Sequence, residues 1–140
     1  MSSKNIKVAL SRASDSAWEK RGLRGFLEYR DLGTSKITEG RFGATIARAF
    51  AAHRAGEDAP THTHTLGFHL IFVLKGWLRT EFEGLGEIIL RAGDCISYEG
   101  EVLQAHTEYS SDYEVLQVTM PADFPTTQIR AKPDNTVPGA

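Results

Sequence analysis

The sequence predicts an all-β chain, folded as an antiparallel sandwich or barrel, and three observations carry that expectation. HLIFVLK (69–75) is rich in β-forming residues and ends at Gly76. WLRTEF (77–82) sets Leu78, Thr80 and Phe82 against Trp77, Arg79 and Glu81, the period of two of a strand with one buried face. Turn signals then recur about every eight to twelve residues, the rhythm of short antiparallel strands. They are Gly84 with Gly86, Gly93-Asp94, the EGE at 99–101 and Ser110–Asp112.

The remaining elements follow in order. Residues 1–25 are polar and without clear period, which predicts an N-terminal arm, partly ordered or added as a strand to a neighbour. A β-barrel domain spans 26–123, opening with a first strand at Phe26–Arg30. Residues 41–55 (RFGATIARAFAAHRA) are in conflict: alanine and arginine favour helix by propensity, yet the stretch is compatible with a strand leading into the segment that follows. EIILRAGD (87–94), CISY (95–98), VLQAHTEY (102–109) and YEVLQVTM (113–120) complete the strands. A tail at 124–140 is rich in proline, which cannot donate to a sheet ladder, so its end is expected to be loose.

Composition narrows the class. At 140 residues, 41% hydrophobic and 24% charged, the chain fits one globular domain with its own core. A formal net charge of −2 gives no electrostatic reason to expect nucleic acid or an anionic membrane as partner. The N-terminus lacks the apolar run of a secretory signal, and Leu70–Leu74 is too short to span a bilayer. The single cysteine, Cys95, excludes an intrachain disulfide, and a cytoplasmic protein is expected. Cys95 itself reads as a small buried hydrophobe.

The chemistry concentrates in the histidines. Three of the five, His62, His64 and His69, fall within eight residues. His62 and His64 are two apart, so on a strand they share a face, and His69 on the next segment supplies a third imidazole. Neutral imidazole suits Zn, Fe, Ni and Cu. One divalent transition ion (Fe, Mn, Ni, Cu or Zn) is therefore the expected cofactor. His53 has no such company and reads as a solvated loop residue.

The spacing around these histidines resembles the first motif of the cupins. That motif runs Gly, five residues, His-x-His, a short gap, Glu, six residues, Gly. Here it reads Gly56, five residues, His62-Thr63-His64, four residues, His69, six residues, Gly76, with His69 where glutamate is usual. The second motif is degenerate: Gly93-Asp94 opens it, Glu99 and Glu101 replace its proline and glycine, and Gln104 stands where its histidine belongs. The resemblance covers about Gly40 to Asp123, and the stretch GWLRTEFEGLGEIILRAGD (76–94) also looks like a subgroup of small single-domain bacterial cupins of the RmlC-like kind. It implies a double-stranded β-helix, the cupin jelly-roll barrel, with the motif residues facing an inner cavity.

Under that resemblance the ligands are His62, His64, His69 and Gln104, as if histidine and glutamine had exchanged strands. His106 is the alternative fourth ligand, because 104 and 106 share a strand face. Ile71, Val73, Trp77, Arg79 and Tyr98 are candidates for the substrate pocket. No general base is evident, with Glu81, Glu99 and His106 as weak candidates. The resulting expectation is a metal-binding cupin acting on a small organic molecule, as an oxygenase, isomerase or lyase. The alternative is a non-catalytic small-molecule binding or sensor module. Exposed sheet edges favour a homodimer in either case. No glycine-rich phosphate loop, Gly-x-Ser-x-Gly elbow or Cys-x-x-Cys pair competes with this reading.

Overall fold

A computed structural model describes residues 6–20, 27–50, 59–64, 67–124 and 126–128, with only the backbone course described at 59–62 and 126–128. Eleven strands among these residues form two antiparallel sheets. They are β1 (Glu19–Lys20), β2 (Leu27–Asp31), β3 (Gly43–Ala49), β4 (Ala59–His64), β5 (Phe68–Lys75), β6 (Trp77–Phe82), β7 (Gly86–Arg91), β8 (Cys95–Tyr98), β9 (Gln104–Tyr109), β10 (Glu114–Met120) and β11 (Thr126–Gln128). The first sheet runs β1-β2-β3-β10-β5-β8 and the second β11-β4-β9-β6-β7. A single helical turn, α1 (Thr34–Ile37), links β2 to β3.

The alternation seen in the sequence sets the layers. Along β5, His69, Ile71 and Val73 are buried while Phe68, Leu70 and Phe72 are only partly so. Along β6, Leu78, Thr80 and Phe82 are buried. With Leu27, Ala47, Leu90, Tyr109, Tyr113 and Val115 these apolar residues make one core between the sheets. Burying a Leu, Val or Phe side chain contributes roughly 1.5–3 kcal/mol, so the inward faces dominate the stabilisation.

The ambiguous stretch at 41–55 contains a strand, not a helix, in its described part. Pairing overrides propensity: β3 lies between β2 and β10, with Ala47 opposite both Tyr29 and Val115. Cys95 corrects the sequence reading. It is exposed, because β8 is the edge strand of the first sheet and Cys95 lies at its start. His53 lies outside the described residues. Within 1–25, β1 pairs with β2, and within 124–140, β11 pairs with β4.

Gly76, the last residue of the histidine motif, turns the chain from β5 to β6 with φ of +69°, a left-handed conformation costly for any residue with a Cβ. A Cβ there would also collide with the side chains of Ser110 and Asp112 and lie 3.2 Å from Tyr113 Cα. The space is used by a bond from Trp77 N–H to Ser110 Oγ at 2.9 Å. The turn thereby ties the β5–β6 connection to the loop before β10.

Candidate metal centre between the sheets

The two sheets bring a polar cluster together inside the apolar core. His69 on β5 is 2% exposed, and both its ring nitrogens are engaged. Nδ1 lies 2.8 Å from the Tyr98 hydroxyl and Nε2 lies 2.9 Å from Gln117 Oε1. Register explains the first contact, since His69 is directly opposite Tyr98 in the β5–β8 ladder. Gln117 comes from the other neighbour of β5, where it pairs with Ile71.

Gln104 reaches this cluster from the second sheet. Its amide Nε2 donates to the Tyr98 hydroxyl at 2.6 Å and to the Val102 carbonyl at 3.5 Å. The residue is fully buried, yet its Oε1 has no hydrogen-bond partner among the described residues. A buried carbonyl oxygen without a donor costs about 1–3 kcal/mol, so such an atom calls for a ligand. The backbone ladder sets Gln104 opposite residue 62 on β4 and opposite Phe82 on β6.

His64, on β4, brings its ring centroid 5.7 Å from that of His69. Phe124 packs edge-on against His64 at 4.9 Å and lies 6.1 Å from His69. The side chain of His62 lies outside the described residues. Among the described side chains, no group of three or more His, Cys, Asp or Glu converges as a metal-holding set. His106 is 5% exposed and places Nδ1 2.9 Å from Thr80 Oγ1, whose own hydrogen goes to the Ala105 carbonyl at 2.8 Å. His106 can therefore donate Nδ1–H to Thr80, an arrangement that holds the ring in place.

Of the residues expected in a pocket wall, Ile71 and Val73 share the inward face of β5 with His69, and Tyr98 stands within the cluster. Trp77 and Arg79 do not. They take the face of β6 opposite Leu78, Thr80 and Phe82, and Arg79 forms an ion pair with Glu108 at 2.8 Å, with both side chains about two-fifths exposed (39% and 42%). Glu81 shares their face and Glu99 is exposed, so neither faces the cluster as a base. Sequence reading missed Gln117, Thr80 and Phe124. Gln117 and Thr80 could have been flagged as polar residues at inward positions of apolar strands; nothing marked Phe124. A surface cavity of about 380 Å³ lies elsewhere, between the N-terminal segment and β2, and none of the expected site residues borders it.

Burial pushes the Tyr98 hydroxyl up from its ordinary 10.0 to about 12, against a smaller opposing effect of the Gln104 hydrogen bond. The group thus stays a neutral donor. Its contribution to stability is complete below pH 10, where folded and unfolded chains are both protonated. Between about pH 10 and 12 the unfolded chain ionises first, so stability falls as pH rises, by roughly 3 kcal/mol at most from this residue. Denaturant titrations across that range should show the loss in the wild type, and a Tyr98→Phe variant should lack that share of it.

No family model matches the chain, and no curated protein matches it by sequence. Solved structures do. The polyketide cyclase RemF from Streptomyces resistomycificus shares 20% identity over 96% of this chain and 89% of that one, with a TM-score of 0.64. An RmlC-like cupin from Shewanella frigidimarina shares 16% over 81% and 90%, with a TM-score of 0.60. FeII HppE shares 14% over 81% and 60%, again with a TM-score of 0.60. The chain has the cupin fold, a jelly roll of two antiparallel sheets. Neighbours in that fold include enzymes, one of them described with iron. Among the described residues no helix is long and apolar enough to cross a membrane.

Proposed function

We propose that this protein binds one divalent transition ion between its sheets and acts there on a small organic molecule. His62, His64, His69 and Gln104 would hold the ion. The observation that carries this reading is the buried Gln104 Oε1, which no described donor satisfies. Gln104 sits on the strand beside β4, and imidazoles joined by an amide oxygen suit Fe, Mn, Ni, Cu or Zn. A second feature supports it: His69 presents Nε2 to the carbonyl oxygen of Gln117, the outer-shell bond that ligating histidines commonly make.

The donor set is neutral, three imidazoles and one amide. The bound ion would therefore keep its full positive charge and favour an anionic oxygen ligand, such as a carboxylate or enolate, polarising it as a Lewis acid. Around it, the chain's own residues would supply a dry apolar wall from Ile71, Val73 and Phe82. Neutral Tyr98 would supply a hydrogen-bond donor.

Protein purified without chelator should carry close to one transition ion per chain by elemental mass spectrometry. Stripped protein should recover that content on dialysis against Fe, Mn, Ni, Cu or Zn. A chain that stays metal-free through all five would end the proposal. Recovery of a metal with a captured metabolite returned unchanged would keep the site and replace the enzyme with a binding module.

A further inference from the structure

The geometry points to Tyr98 as a positioning residue whose hydroxyl donates to the Nδ1 lone pair of His69, in the tautomer that Gln117 sets, and must yield that nitrogen when a metal ion enters. The second half of this inference rests on the metal-binding reading above; the first does not. Gln117 Oε1 can only accept, so His69 Nε2, at 2.9 Å, carries the ring proton. A neutral imidazole has one N–H, hence Nδ1 is the lone-pair nitrogen and the Tyr98 hydroxyl, at 2.8 Å, donates to it. The Tyr98 oxygen in turn accepts from Gln104 Nε2 at 2.6 Å.

The donors therefore run in one direction, from Gln104 through Tyr98 and His69 to Gln117, across β9, β8, β5 and β10. Two consequences follow from that direction. The amide of Gln104 is turned so that Oε1, its acceptor end, is the one left for a ligand. The tautomer of His69 is already the one a metal needs, so binding at Nδ1 requires no proton transfer within the ring, only the release of one hydrogen bond from Tyr98.

Tyr98→Phe tests this. The substitution keeps the ring that packs 5.7 Å from Phe82 and 5.2 Å from His69. Gln104 Nε2 retains the Val102 carbonyl, so its orientation persists. Removing the competing hydroxyl should tighten Zn(II) binding about five- to tenfold, the size of one hydrogen bond given up. A structural role alone would instead weaken binding along with stability.

The independent readout is the pair of ring ¹⁵N shifts of His69 in metal-free protein. In the wild type, Nε2 should be protonated and Nδ1 should have the shift of a hydrogen-bonded acceptor. In Tyr98→Phe, Nδ1 should move toward the value of an unbonded lone pair. A wild-type His69 carrying its proton on Nδ1 overturns the inference, as does weaker or unchanged Zn(II) binding in the variant. A wild type that takes up no Zn(II) while showing the expected shifts would sink the metal reading and leave the positioning role of Tyr98 standing.

Discussion

Phe82→Ala should be the most destabilising single change at this site, lowering stability by about 3–5 kcal/mol. The ring is 2% exposed and lies between the core and the polar cluster. Its centroid is 5.7 Å from Tyr98 and 6.3 Å from His106. In the β6–β9 ladder it is also directly opposite Gln104. Truncation removes the apolar surface and leaves a cavity beside buried polar groups. Water entering that cavity would compete for Gln104 Oε1, so the loss should extend to metal binding. Chemical denaturation should show the shift in midpoint with little change in slope. Phe82→Leu, which keeps most of the volume, should recover at least half of the lost stability. An alanine variant within 1 kcal/mol of wild type would mean that the wall behind Gln104 is not packed as described.

The parts of this fold legible in the sequence were those where one face is buried and the other is not. β5 and β6 alternate because the core takes every second side chain, and those strands fall where the pattern puts them; β9 does not, with Gln104, Ala105 and His106 all buried in succession. β3 was ambiguous because its alanines carry helix propensity, and only its two flanking strands decide the matter. Chemistry suggests Trp77 and Arg79 for a cavity wall, but parity sets them with Glu81 against Leu78 and Phe82, and the more apolar face goes inward. The average behaviour of cysteine predicts a buried Cys95, and the edge position of β8 overrides it. In the site, spacing singled out His69 and Gln104. Their partners were out of reach, because Tyr98 and Gln117 meet His69 only through pairing of β5 with β8 and β10, a 48-residue separation in the case of Gln117.

Gln104→Leu should separate stability from function in opposite directions. The substitution removes an amide whose oxygen is buried without a partner, and fills the same volume with an apolar side chain. The metal-free variant gains the desolvation cost of that oxygen, about 1–3 kcal/mol, and loses the bond from Nε2 to Tyr98, about 1 kcal/mol net. Tyr98 still donates to His69, so no new buried donor is stranded. The metal-free protein should therefore be as stable as wild type or more so, by up to about 1 kcal/mol. Metal affinity should fall by at least about a hundredfold, the upper range for loss of even an outer-shell partner. Such a trade is expected where a strained or unsatisfied group persists because a ligand satisfies it. His106→Gln, two residues along the same strand, should leave affinity near wild type if Gln104 holds the ion. A Gln104→Leu variant that binds metal normally, beside a His106→Gln variant that does not, would move the fourth ligand to His106.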